Sequence, residues 1–401
     1  MVTRLKKAVG DPTVEPADLT VVPEAPVLFA APDINEADVE AVSRVLRSGW
    51  LTTGNECASL EAELAEYLGA AHVVAVASCT AALEISLAHL RLPPGSRVGV
   101  PAWTFVSTAL AAVHNNLLPV LLDVEPETLN LSPAALEAAL AEGLDAVIAV
   151  HFGGVPVSQA IHELCTAAGV PLIEDAAHAL GASDHRGLIG GPGTASACYS
   201  FYATKNLTSG EGGAIATDDA DLANFARVYR LHGMSADALE RYKPGGLVGY
   251  DMVEPGIKAN IPDILAALAR SQLGRFGSMQ TRRRELLARY RETLQPAGLR
   301  FVPDGAEPGS ADHLSVVVLP EDVDRNRVIA GLKAAGIHPS VHFQPLHHFS
   351  WFGANAGVGP GGLDVCNRLA LRTLSLPLHV GLSDDDVDRV CRELLHLLPG
   401  E

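Results

Sequence analysis

Five short apolar runs, at 72–77, 97–100, 118–122, 145–150 and 170–173, alternate with helix-period stretches at 80–90, 105–115, 132–141 and 158–168. Strand, helix, strand at this spacing predicts a mostly parallel sheet covered by helices on both faces. Apolar runs at 196–202 and 213–217 extend the sheet, and 218–231 reads as the next helix. Upstream, a helix is expected from Asn35 to Arg47 and a second, amphipathic one through Leu60, Leu64 and Leu68. Downstream, an alanine-rich helical region runs from near Ile261, past Gly277, to about Leu294. Beyond it Leu314–Leu319, Val323–Ala335, Ser340–Phe343 and Asp384–Leu397 read as strand, helix, strand and helix, and the glycine-rich stretch 351–362 reads as a flexible loop. The expected organisation is α/β: a flexible tail over 1–24, a large sheet domain over 25–275 and a smaller C-terminal α+β domain over 276–401.

Composition narrows the class. An apolar content of 48% with 19% charged residues suits a well-buried globular enzyme. The net charge of −18 argues against a nucleic-acid partner and requires that any anionic ligand be met by a local positive pocket. Cys57, Cys79, Cys165, Cys198, Cys366 and Cys391 form no C-x-x-C pair and no metal-ligand spacing, so they read as reduced core residues and no metal is expected. The first 24 residues lack the apolar core of a signal peptide, and no run approaches the roughly 18 apolar residues of a membrane span. A cytoplasmic protein with no membrane partner is the expectation. The G-x-G-x-x-G pattern is not completed around Gly191 and Gly193, and no P-loop, H-E-x-x-H or serine elbow occurs.

Chemistry concentrates between Leu172 and Ala214. L-I-E-D-A-A-H-A ends one apolar run with Glu174, Asp175 and His178; A-C-Y-S-F-Y-A-T-K-N-L-T-S-G-E-G-G-A ends another with Ser200 and Lys205. An acid and a lysine at the ends of two buried strands suit pyridoxal 5'-phosphate, which needs an amine to hold it covalently and an acid to keep its ring nitrogen protonated. Either residue alone is as readily a satisfied strand-end acid or a loop lysine. Ser78-Cys79-Thr80 lies where a strand turns directly into a helix, whose free first-turn amides welcome a phosphate; a bare N-cap fits the same residues.

Taken together, E-D-A-A-H-A, S-F-Y-A-T-K and G-E-G-G resemble the motifs of the DegT/DnrJ/EryC1/StrS family of pyridoxal-phosphate sugar aminotransferases, and the resemblance runs from Leu28 to about Val390. It implies a fold-type-I (aspartate-aminotransferase-like) enzyme with Lys205 and Asp175 as catalytic residues. It implies a phosphate cradle of Ser78, Cys79, Thr80 and Ser200, with Cys79 where the family has glycine. Trp103 would stack on the cofactor ring and His178 would lie near its phenolic oxygen, while Glu211, Gly212 and Gly213 would shape the loop behind the lysine. Lys258 and Asn260 match residues that reach the neighbouring subunit's cofactor, which implies a homodimer with shared active sites. Arg230 and His232, in R-L-H-G-M-S, and His342 and His347, in V-H-F-Q-P-L-H, fall where substrate contacts are expected, with Lys243 a further basic contributor. Arg282–Arg284 reads as a solvated helix face.

The implied reaction passes an amine from glutamate to a nucleotide-linked keto-sugar. K-A-N-I-P-D (258–263) looks closer to relatives that aminate C4 than to the N-x-R-L-D of those acting at C3, which favours a dTDP-4-keto-6-deoxyhexose. A C3 ketone or a cyclitol ketone stays open as substrate. Dehydrating relatives replace the lysine, typically by histidine, and this chain keeps it. A non-catalytic sensor on the same scaffold is the alternative of another class.

Overall fold

The computed structural model describes residues 25–235, 249–303 and 309–399. The first twenty-four residues and Lys243 lie outside the described residues.

The expected strands form as β1 (His72–Val76), β2 (Arg97–Pro101), β3 (Leu118–Leu122), β4 (Ala146–Val150) and β5 (Leu172–Asp175). A two-strand ribbon, β6 (Ser183–Asp184) with β7 (Gly187–Leu188), follows, and then β8 (Ala197–Ser200) and β9 (Gly213–Thr217). Eight strands make the main sheet in the order β1-β9-β8-β5-β4-β2-β3-β12, where β12 is Gly357–Val358. Only β9 runs against its neighbours. The sheet is buried on both sides because each strand offers apolar residues to both. Val74, Val76, Val98, Ile148, Ile173 and Ile215 belong to one core, which takes in the helices α3 (Cys79–His89), α4 (Val106–His114) and α7 (Ala220–Tyr229). Val73, Ala75, Ala197, Tyr199 and Ala214 belong to another with Leu60, Leu64 and Leu68 of α2 (Asn55–Leu68).

Helix boundaries follow local chemistry. Helix α1 (Glu36–Ser48) starts at a capping box between Asn35 and Asp38 and stops at left-handed Gly49. The long helical region divides at Arg275 into Asp263–Gly274 and Phe276–Leu294, where the Arg275 guanidinium turns back to Asp33 and Asp38. Near the C-terminus β10 (Arg300–Val302), β11 (Ser315–Val318) and β13 (Thr373–Leu376) make an antiparallel sheet with its own core, including Tyr290, Leu332, Val387 and Leu394.

Two expectations are corrected here. Ser340–Phe343 is no strand; it makes a single bridge, Ser340 to Ser375, and then turns inward toward the large sheet's end. The stretch read as a flexible loop instead forms a short helix, Ser350–Asn355, and then β12, which pairs in parallel with β3.

Arg230 is a third correction. It was expected at substrate, but it is buried and occupied at the outer edge of β1. Glu61 Oε1 accepts from the Ala75 amide at 3.0 Å, while Arg230 bonds both Glu61 and the Ala75 carbonyl. The ion pair therefore meets both backbone groups of an edge residue, as a neighbouring strand would. Arg283 likewise leaves the solvated face assigned to it: it is buried and donates to the carbonyls of Leu378 (3.2 Å) and His313 (3.4 Å).

Removing Arg230 strands a half-buried carboxylate and a backbone carbonyl. Arg230→Ala should cost about 3 kcal/mol of stability, read as a lower denaturation midpoint, and leave the KM of the surviving enzyme for its keto substrate unchanged.

Candidate active site

Parallel strands bring their carboxyl ends to one edge, the usual place for a ligand in an open α/β sheet. Here β1 delivers Ser78–Thr80, β2 delivers Thr104–Ser107, β5 delivers Asp175–His178, and β8 leads through Ser200 to Lys205. Residues from all four, with His313, His342 and Phe343 from the C-terminal part, line one cavity of about 430 Å³.

At one side the first turn of α3 opens onto the cavity. Ser78 caps the helix, its hydroxyl accepting from the Ala81 amide at 3.1 Å, which leaves the Cys79 and Thr80 amides at a helix N-terminus facing the space. This approach depends on Gly213, where a Cβ would lie 2.6 Å from the Ser78 carbonyl carbon and 2.7 Å from the Cys79 nitrogen. Cys79, in the position of the family's glycine, keeps helical geometry and turns its thiol inward, toward the Cys198 carbonyl (3.2 Å) and Asp175 Oδ1 (3.7 Å).

Asp175 is buried and its carboxylate is met on both oxygens. The Thr108 hydroxyl donates to Oδ2 at 2.8 Å and the Ala177 amide to Oδ1 at 3.2 Å. The preceding residue, Glu174, points to the opposite face of β5, where Arg186 bonds it at 2.8 Å. Burial opposes that charge, but the His151 and Arg186 contacts hold its carboxyl down at about 2. Among the described residues His162, Glu174 and Asp184 approach metal-ligand spacing, yet Arg186 already bonds both acids, so the cation there is a guanidinium.

Lys205 sits on a turn closed by its own amide to the Tyr202 carbonyl at 2.9 Å. The loop behind it is braced internally: the Thr208 hydroxyl and the Ser209 amide both donate to the Phe201 carbonyl, at 3.1 and 2.9 Å. Burial pushes the Lys205 amine down to about 8, against the pull of Cys79 and Asp175. His178 is also in the cavity, its proton affinity driven well below the ordinary value by burial and by Lys205. His342 falls to about 4 for the same two reasons; its Nδ1 lies 3.0 Å from the Ser375 hydroxyl.

Ser78, Cys79, Thr80, Asp175, His178, Ser200, Lys205 and His342 are thus brought together around one space. Trp103 is not. Its ring is fully buried in the sheet's core and its indole N–H donates to the His342 carbonyl at 3.2 Å. Phe105, two residues on at the start of α4, carries the exposed aromatic ring that lines the cavity. The pattern P-A-W-T-F holds both aromatics, and the one adjoining the helix start is the one that reaches the cavity. His347 bonds Asn367 at 2.9 Å outside the cavity lining, and His232 is exposed on a left-handed turn away from it. Lys258 and Asn260 bond each other beside the end of β1, and Asn260 also donates to the Thr53 hydroxyl at 2.6 Å; neither lines this chain's cavity. Thr108, Phe105, Phe343 and His313 are site residues that motif reading missed.

A helix N-terminus, an aromatic ring, a fully partnered carboxylate and a lysine with a lowered proton affinity around one cavity fit a phosphorylated pyridine aldehyde group by group. The fold and site are those of a fold-type-I pyridoxal-phosphate transaminase. The chain belongs to the DegT/DnrJ/EryC1/StrS aminotransferase family, which it matches over residues 32–395. It is 39% identical to the spore coat polysaccharide biosynthesis protein SpsC of Bacillus subtilis over 378 residues, covering 93% of this chain and 97% of that one. Spr1654 of Streptococcus pneumoniae, solved in a pyridoxal-phosphate form, superposes with a TM-score of 0.84 at 28% identity, over 93% of this chain and 98% of that one; a pyridoxamine-phosphate form is also known. DesI, solved in the presence of its TDP-sugar product, gives 0.81 at 31% identity, over 93% of each chain. The protein is a sugar aminotransferase of this family, and its cofactor is pyridoxal 5'-phosphate. Among the described residues no helix is long and apolar enough to cross a membrane.

Two outcomes follow from the geometry. Trp103→Ala should destabilise the fold by about 3 kcal/mol or more, whereas Phe105→Ala should leave the denaturation midpoint in place and weaken cofactor binding about tenfold, the scale of one lost aromatic contact. In the apoprotein, labelling of Lys205 by an amine-selective reagent should have its pH midpoint near 8, well below that of exposed lysines, as read by peptide mass analysis.

Proposed function

We propose that the enzyme takes an amine from glutamate and places it on a nucleotide-linked keto-sugar, a dTDP-4-keto-6-deoxyhexose. The observation that carries the reading is the facing pair of Lys205 and Asp175 across a cavity opened by a helix N-terminus. The pyridine cofactor supplies an electron-withdrawing ring that steadies negative charge on the substrate carbon. Asp175, an acceptor held on both oxygens, keeps a proton on the ring nitrogen. The first turn of α3, with Ser200, would hold the phosphate, and Phe105 would offer its ring to the pyridine. Lys205 Nζ would hold the cofactor and, once free, would serve as the base and acid at the substrate carbon. Burial, which lowers the proton affinity of this amine, favours the free base that this role needs.

Charge supports a shared site. A sugar nucleotide brings about two negative charges, and Lys205 is the only lysine or arginine among the described lining residues. Arg230 is occupied elsewhere. Lys258 is exposed beside the mouth-forming strand end, and Phe105 and Tyr202 leave 56% and 48% of their surface open. A second copy would cover those rings and bring its Lys258 to the phosphate of this chain's cofactor, making a homodimer in the cytoplasm with two composite sites. That DesI was crystallised with a TDP-sugar product and that SpsC serves polysaccharide biosynthesis support the substrate class. The K-A-N-I-P-D segment supports C4 over C3.

Borohydride reduction of the loaded enzyme should leave the cofactor's mass on the peptide containing Lys205, and Lys205→Ala should abolish transamination; label on another lysine would remove the assignment. A panel of 4-keto and 3-keto sugar nucleotides and cyclitol ketones, assayed with glutamate and read by mass and NMR, should give turnover with the 4-keto sugar, and preference for any other member reverses the assignment. In verified mixed dimers of Lys205→Ala and Lys258→Ala chains, one site collects both lesions and the other none, so about half of those sites should work. Failure of the mixture to regain activity would exclude the composite site.

A further inference from the structure

Asn206, the residue after Lys205, is buried, and a backbone carbonyl dictates how its amide lies. Its Nδ2 donates to the Ala311 carbonyl at 2.7 Å and to Gln280 Oε1 at 2.9 Å. Gln280 Nε2 donates to the same carbonyl at 2.9 Å, which makes Gln280 Oε1 the acceptor. Both Nδ2 hydrogens are then used, and Asn206 Oδ1 faces His313 Nδ1 at 2.8 Å as an acceptor. His313 must therefore carry its proton on Nδ1, which leaves Nε2 a bare lone pair in the neutral ring. His178 is held in the opposite tautomer: its Nδ1 accepts from the Gly153 amide at 3.2 Å, so its proton is on Nε2. The two rings lie 4.4 Å apart, and both line the cavity beside Lys205. Burial, and the neighbouring Lys205, push both well below the ordinary histidine range and keep them neutral. Behind His313, Arg283 donates to its backbone carbonyl.

We propose that His313, locked by Asn206, is the acceptor that orients the amino donor: its bare Nε2 receives a hydrogen bond from the ammonium group of the incoming amino acid, while His178 presents a donor. The inference rests on the aminotransferase reading and adds a substrate contact to it. A neutral acceptor suits this place. A carboxylate here would pair with Lys205 and hold its amine protonated, whereas an imidazole lone pair can receive an ammonium without adding a charge.

With histidine labelled by nitrogen-15, the holoenzyme at neutral pH should show His313 in the Nδ1–H form and His178 in the Nε2–H form in long-range proton–nitrogen correlation spectra. Asn206→Leu offers no acceptor and should release His313 to the commoner Nε2–H form while His178 keeps its pattern. In the first half-reaction, followed by the cofactor's absorbance, His313→Phe should raise the KM for glutamate about tenfold, the scale of one lost hydrogen bond to a charged group, with kcat changed less. His313→Gln, whose amide oxygen can still accept, should recover most of that loss. A wild-type His313 protonated on Nε2, or an unchanged KM in His313→Phe, overturns the proposal. Both tautomers as stated in an enzyme that accepts an amine from no amino acid would overturn the aminotransferase reading and the ammonium contact with it, a result distinct from failure of the lock.

Discussion

A carboxylate buried as deeply as Asp175 is costly unless its lone pairs are met, and the groups that meet them come from distant parts of the chain. Thr108 reaches it from α4, Cys79 from the start of α3, and Ala177 from its own turn. These elements converge because β1, β2 and β5 run the same way and end at the same edge. One face of β5 is thereby committed to catalysis. The adjacent residue, Glu174, uses the other face to pin the strand to Arg186 and His151, so a second buried acid, itself paired, supports the first.

Periodicity made the large sheet legible because strands covered on both faces leave unbroken apolar runs, and single helices between them leave little freedom of topology. Asp384–Leu397 was legible for a related reason: Ser383 and Asp386 close a capping box at its start. Where the reading failed, the deciding interaction was tertiary. Nothing local distinguishes Arg230 as an edge-closing residue from Arg230 as a substrate contact, since Glu61 and Ala75 lie far away in sequence. Arg283 among three arginines is buried only because the carbonyls of His313 and Leu378 await it. Lys205 and Asp175 were legible because their motif wording is specific; His313 was not, because its role depends on an amide turned by Ala311 across more than a hundred residues.

The electrostatics divide in the same way. A chain with a net charge of −18 hosts a cavity whose histidines are all driven neutral and whose one lysine is only weakly basic. Burial, more than any partner, sets these states. The cavity therefore presents hydrogen-bonding groups of fixed direction to its ligands and leaves most of the positive charge to be supplied from outside its walls.

The two margins of the main sheet are closed by different means. At β1 the pair of Glu61 and Arg230 satisfies Ala75; at β3 the two residues of β12 pair with Val120 and Leu121, and the Gly359 amide reaches the Leu121 carbonyl at 2.9 Å. The second closure is supplied by a segment more than two hundred residues downstream of the strand it covers. During synthesis, β3 is therefore complete long before its seal leaves the ribosome, and through that interval it offers an open template for strand addition. The nascent chain is most prone to aggregate in that window, and truncation anywhere between β9 and β12 would make the window permanent.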